Sequence, residues 1–350
     1  MTADSISVIV DGAPVVYTLR SLRDDETDLS RWADFCAFCF GNKSDPPTKN
    51  YFKRHFFNDP RRDASAIHII EFLGVGGKIE IASSMRVFLR TISNGRGGTI
   101  EAGGIGEVCT HPEHRRRGLS KMLLTKSISF MENCGLETSL LHAAAAVTPV
   151  YKKNGNYECT TSRWSLVKID QSKLCGNCEG YSVRLANFPS DTKILMHLHR
   201  IYSEERYAGC IVRTELYWNK YLSKEIGNSL FVLMEGDAIV AWLSIRPRGG
   251  RFQLREFGMK KDIISAAKAI SLLLHKACSD DNINFLLPTT VLDDIEGTDT
   301  YSSFVQWEDG VQEEDDIGWM YRVIAKKEDT PGMVEITKEN EHLIWPADSF

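Results

Sequence analysis

Missing from these 350 residues is any apolar run approaching the ~20 residues that a membrane-spanning helix needs. The opening stretch, MTADSISVIVDGAPVVY, has no basic segment ahead of a long apolar core, so no signal peptide is expected. A basic excess is absent too, since 42 lysines and arginines face 47 acidic side chains for a net charge of −5. That balance excludes a strongly basic nucleic-acid binder. The nine cysteines are odd in number and follow no framework spacing, which speaks against a disulfide-stapled scaffold and fits a reducing, cytoplasmic setting. Two Cys-x-x-Cys pairs occur, Cys36/Cys39 and Cys175/Cys178. They lie far apart in sequence, and the first falls inside a helical apolar pattern, so free thiols and no metal are expected.

What is present is an ordinary globular composition, 43% hydrophobic and 25% charged, in a chain long enough for two domains. SVIVDG and PVVYTL read as an opening strand pair, and residues 24–41 carry a helical apolar face. AIHIIEFL and KIEIASSMRVFLR read as consecutive strands, followed by a strand in IEAGGIGEVCT. A helix is expected from about Gly118, then a short strand TSLLHA, a short helix VTPVYKKNG and a last strand NYECTTSRWSLVKI. After a polar linker the same order recurs from Tyr181, with IGWMYRVI completing a second sheet. The expected division is 1–170, a linker at 171–179, 180–326, and a tail at 327–350.

The stretch HPEHRRRGLS, residues 111–120, places three arginines between a strand and a helix start. The first backbone N–H groups of a helix lack internal partners and carry the positive end of its dipole. Glycine at 118 lets an anion approach the backbone, and the arginines add counter-charge. The pattern is an anion cradle. No Gly-Lys-Ser/Thr follows for a Walker loop, and no Gly-x-Gly-x-x-Gly occurs here for a dinucleotide fold.

Arg115-Arg116-Arg117-Gly118-Leu119-Ser120 resembles the Arg/Gln-x-x-Gly-x-Gly/Ala loop with which GNAT acetyltransferases bind the pyrophosphate of coenzyme A, departing at Ser120. PVYKKNGNYE is similar to that family's Tyr-x-x-x-Gly-Phe segment, with Tyr151, Gly155 and Tyr157 in place. His114 to Leu119, Leu141-His142-Ala143 and the segment from Arg213 to Tyr217-Trp218 further resemble the two-GNAT-domain, enhanced-intracellular-survival type. The resemblance implies an α/β (α+β) fold of tandem GNAT units. Each is a mixed, mostly antiparallel sheet flanked by helices, and the second is degenerate. It implies an N-acetyltransferase that uses acetyl-CoA on a primary amine of a small molecule or a lysine side chain. The alternatives are a longer-chain N-acyltransferase and a non-catalytic acyl-CoA sensor. No membrane and no nucleic acid are expected as partners, and a homo-oligomer is left open.

From the same resemblance, Val108, Cys109 and Thr110 would hold pantetheine, and Tyr151 would be the general acid. Glu107 is a candidate base acting through water. The second candidate is the α-carboxylate of Phe350, since HLIWPADSF is apolar where a frayed tail would be polar. Asp348 is placed to attract a cationic amine, and Trp32 and Phe35 to wall the pocket. Plainer roles stay open beside each: a packed aromatic for Tyr151, an exposed strand carboxylate for Glu107, a docked tail, and core or surface positions for the rest.

Overall fold

The computed structural model describes residues 4–10, 13–41, 46–160, 163–176, 178–278, 282–295, 305–306, 312–315, 318–325 and 342–348. The first half runs β1 (Asp4–Val10), β2 (Ala13–Ser21), α1 (Glu26–Phe40), α2 (Lys49–Asn58), β3 (Ile67–Leu73) and β4 (Ile79–Asn94). It continues with β5 (Thr99–Thr110), α3 (Leu119–Asn133), β6 (Thr138–His142), α4 (Thr148–Gly155), β7 (Glu158–Cys159) and β8 (Arg163–Asp170). The second half opens with β9 (Tyr181–Leu185), α5 (Thr192–His199), β10 (Ala208–Ile211), α6 (Ser223–Glu225) and β11 (Leu230–Glu235). It closes with β12 (Ala238–Arg248), β13 (Arg251–Met259), α7 (Ala266–Ala277), β14 (Asn282–Pro288), α8 (Thr289–Ile295), β15 (Val305–Gln306), β16 (Gln312–Asp315) and β17 (Trp319–Val323). π-Helical turns at Arg200–Glu204 and Tyr217–Leu222 extend α5 and precede α6, where plain helices are expected over 191–207 and about 214–224.

Two sheets result, ordered β1-β2-β3-β4-β5-β6-β17-β7 with β10 beside β4, and β15-β8-β14-β13-β12-β11-β9 with β16 beside β8. Neighbouring strands are antiparallel except for β5 with β6 and β13 with β14. Each parallel pair is bridged by a helix, α3 or α7, so the same strand–helix–strand unit stands at the same place in both sheets. The internal duplication that the sequence order implies is therefore present in the topology.

Two strands lie elsewhere than the sequence order implies. The stretch NYECTTSRWSLVKI splits: Glu158–Cys159 stays in the first sheet, while β8 joins the second by pairing along β14. Conversely β17, expected to complete the second sheet, pairs with β6 and β7 of the first. The halves thus exchange their last strands. The physical reason is that β6 and β14 offer the same kind of open antiparallel edge, and strand patterning specifies burial but not which edge is joined.

The halves also share a core. Ile92, Ile100 and Leu140 pack with Leu198, Trp218, Trp242 and Ile344 in one buried cluster. α3 lies close against the first sheet, so close that a Cβ at Gly103 would collide with Sδ of Met131. α1 starts on an N-cap, Asp25, whose side chain accepts from Asp28 N at 2.8 Å. Buried Asp28 then receives Arg20 at 2.7 Å and Arg23 at 3.0 Å, fixing the helix to β2.

Candidate active site

The site is built where β5 parts from β6. Their parallel pairing covers only Ala102↔Thr138 to Ile105↔Leu141, after which β5 continues to Thr110 while β6 ends at His142. A bulge directs the departure: Ser84 faces Cys109 and Arg86 faces Gly106, so Glu107 and Val108 together oppose Met85. Glu107 adopts φ 51, a left-handed conformation that costs a non-glycine residue about 1–2 kcal/mol. Its carboxylate repays this by pairing with His55 Nδ1 at 3.1 Å and Arg86 at 3.4 Å. Arg86 and Arg90 both reach buried Asp59, each at 3.0 Å. Those guanidinium charges hold the Asp59 carboxyl below its usual range despite burial.

At the end of β5 a short 3-10 turn, Pro112–His114, leads into the arginines. Arg116 has φ 62 and Gly118 φ 78, and Gly118 is the N-cap of α3. Left-handed backbone at 116 and 118 is the geometry in which successive N–H groups can line an anion-binding concavity, and it leads directly into the first turn of α3. A Cβ at Gly118 would meet nothing within 4 Å, so the space above the backbone is open. Arg115 and Arg116 are exposed, whereas Arg117 folds inward. It bonds Tyr17 and lies 3.0 Å from His114 Nδ1, which is itself 2.8 Å from the Tyr17 hydroxyl. Two arginines thus remain to face an anion, and the third braces the loop. Leu119 is buried against α3's own core, and Ser120 is half-buried. The residues present fit a pyrophosphate held mainly by backbone.

Val108 and Thr110 are partly buried and Cys109 is buried, with the Cys109 carbonyl accepting from Ser83 Oγ at 2.9 Å. Cys36 Sγ lies 4.0 Å from Cys109 Sγ, and burial pushes both thiols up, so these are neutral packing groups. Tyr151, on α4, is 8% exposed and packs edge-on to Tyr157 at 6.0 Å. Burial pushes its phenol up to about 12. His111, Glu113 and His114 are grouped closely enough to hold an ion, but His114 Nδ1 is already engaged by Tyr17 and Arg117.

Several expected positions differ. Trp32 is wholly buried, donates from Nε1 to Ser84 Oγ at 3.0 Å and packs on Phe52 and Phe56. Phe35 is 8% exposed in the same cluster, so both are core residues here and not walls of an open pocket. Asp348 is 1% exposed and its carboxylate is taken up by Arg213 at 2.5 Å and the Tyr217 hydroxyl at 3.1 Å. A carboxylate neutralised in this way presents no free charge to a cationic amine. Phe350 lies outside the described residues.

Residues from both halves meet at the bulge in a way the sequence does not signal. The Tyr217 ring stacks on Tyr221 at 4.9 Å, Tyr221 bonds His55 Nε2, and His55 reaches Glu107. Asp348 and Glu107 are therefore joined by hydrogen bonds on either side of one stacked tyrosine pair. Tyr217 belongs to the Arg213-to-Trp218 segment that stands out in the sequence, but nothing in the sequence pairs it with His55.

Residues 18–160 match the model of the acetyltransferase (GNAT) domain. No curated protein matches the chain by sequence. Among solved structures, a GCN5-related N-acetyltransferase from Anabaena variabilis is similar, with a TM-score of 0.62 at 12% identity over 88% of this chain and 73% of that one. Eis1 from Mycobacterium abscessus gives a TM-score of 0.54 at 13% identity over 88% and 73%. The N-myristoyltransferase of Saccharomyces cerevisiae with bound myristoyl-CoA gives 0.55 at 13% over 90% and 84%. These likenesses concern the fold. Residues 18–160 thus match a GNAT acetyltransferase domain, and the chain as a whole shares the fold of these solved structures.

Proposed function

We propose that this protein transfers an acetyl group from acetyl-CoA to a primary amine, of a small molecule or a lysine side chain. The observation that carries the reading is Tyr151, a buried phenol on α4 packed in the cluster that includes Ile105 of β5 and Leu141 of β6, where burial disfavours the phenolate. The pyrophosphate of the coenzyme lies on the backbone of Arg116 to Ser120, with Arg115 and Arg116 as counter-charges. Pantetheine runs along Val108, Cys109 and Thr110, where the edge of β5 has lost its partner. A neutral amine attacks the thioester carbonyl, the C–S bond breaks as the new C–N bond is kept, and Tyr151 protonates the departing thiolate. The amine proton leaves through water to the carboxylate of Glu107, the candidate base.

Thiol release from acetyl-CoA, followed with a panel of polyamines, aminoglycosides and lysine peptides, tests this. No amine-dependent release above hydrolysis would remove the proposal. Glu107→Gln tests the base: lost turnover with retained coenzyme affinity supports it, and unchanged turnover removes it from the mechanism. The likeness to an N-myristoyltransferase holding myristoyl-CoA favours a second reading, transfer of a longer acyl chain. Comparing acetyl-CoA with myristoyl-CoA as donors in the same assay decides between them.

A further inference from the structure

The second sheet carries a bulge of its own, between β12 and β13, and it is lined by cations. Ser244 faces Glu256 and Ile245 faces Leu254, leaving Arg255 as the extra residue, while Arg246 faces Gln253 across the same strands. Both arginines are largely withdrawn from solvent. The Arg246 guanidinium donates twice to the side-chain oxygen of buried Gln253, at 3.0 and 2.9 Å. Arg255 donates once, to the Glu225 carbonyl at 2.7 Å, and its Nε is buried with no partner.

Among the described residues, neither guanidinium forms an ion pair. The nearby carboxylates are committed elsewhere, Glu225 to Arg54 at 3.3 Å and Glu256 to Arg213 and His199. Exposed Arg248 adds further positive charge, and burial together with Arg255 and Arg248 pushes Arg246 down to about 10. Two neighbouring half-buried guanidiniums that bond no carboxylate, with Glu225 and Glu256 acting on Arg255 only through space, form an arrangement that an oxyanion would complete.

The location ties this pair to the reaction. Glu225, whose carbonyl accepts from Arg255, pairs through its carboxylate with Arg54 of α2 at 3.3 Å, and on the same helix Tyr51 stacks at 5.2 Å on His55, the partner of Glu107. Arg255 is therefore linked through Glu225 to α2, the helix that also carries His55 beside the Glu107 bulge. We infer that Arg246 and Arg255 hold a carboxylate or phosphate group of the acceptor, so that the substrate is an amine that also carries an anion. This rests on the acyltransferase reading for the role of the amine, but not for the binding of the anion.

The test is calorimetric titration of protein saturated with coenzyme A, so that the cradle is filled. The probes are O-phosphoethanolamine, β-alanine and neutral ethanolamine. At least one anionic amine is expected to bind about tenfold or more tightly than ethanolamine, consistent with a charge-assisted pair of bonds. Which of the two binds better distinguishes phosphate from carboxylate. Arg246→Gln and Arg255→Gln should each remove that preference and leave coenzyme affinity unchanged, while Arg248→Gln should keep it. Arg255→Lys, retaining charge without the planar fork, covers the case in which the glutamine variant fails to fold and should bind with intermediate affinity. Equal binding of all three amines, or undiminished preference in both glutamine variants, would overturn the inference. Binding is read without turnover, so a tightly bound amine that is never acetylated would count against the acyltransferase reading alone.

Discussion

Tyr151 holds its proton more tightly than a free phenol because burial disfavours the phenolate. Replacing it by Phe is expected to lower kcat by about 10²–10⁴-fold, the usual weight of a positioned acid, with coenzyme affinity unchanged. Steady-state kinetics alongside a coenzyme titration check both halves of that statement. His68 makes a second residue-level prediction. Burial, then Lys126, pushes its imidazole down to about 4, against about 6.5 in an unfolded chain. The unfolded state therefore takes up the proton first, so stability is complete above pH 6.5 and falls by roughly 3 kcal/mol as pH drops to 4. Urea unfolding of His68→Asn should show a flatter pH dependence than the natural chain. Asp59→Asn leaves Arg86 and Arg90 buried without their carboxylate, at an expected cost of about 3–5 kcal/mol in the same measurement. None of these three environments reads equally well from sequence. Tyr151 sits in a local motif, whereas Asp59, Arg86, Arg90 and Glu107 are brought together only by long-range pairing.

Among elements, the cradle is the most legible. Strand, arginines, glycine and amphipathic helix are contiguous, and α3 begins at Leu119 with Gly118 as its cap, one residue from where the periodicity puts it. The inward turn of Arg117 is not legible, because Tyr17, the group that draws it in, stands on β2 a hundred residues away. The exchanged strands are likewise hidden, since edge choice depends on partners from the other half. The exchange carries a consequence: residues 1–160 alone lack β17 and leave the β6 edge unpaired. Such a fragment should lose near-ultraviolet circular dichroism and bind a hydrophobic dye, and sharp cooperative melting of the fragment would contradict this.

For the whole molecule, length and element order already imply a duplicated fold. The shared core of Ile92, Leu140, Trp218 and Ile344 means that neither half is sealed without the other. One calorimetric unfolding transition is expected, and two well-separated transitions would show that the halves are independent. The tandem arrangement also links the first half's bulge to the second half, Tyr221 directly through His55 and Arg255 through Glu225 and Arg54 of α2. On the proposed reading, acceptor recognition is a property of the pair, while the coenzyme site is local to residues 108–120. The most direct test of that local site is titration of the natural chain and of Gly118→Val with coenzyme A. One coenzyme per chain is expected, with an affinity at least about tenfold weaker in the variant, whose side chain would fill the open space above the backbone. Equal affinity in the two proteins would contradict it.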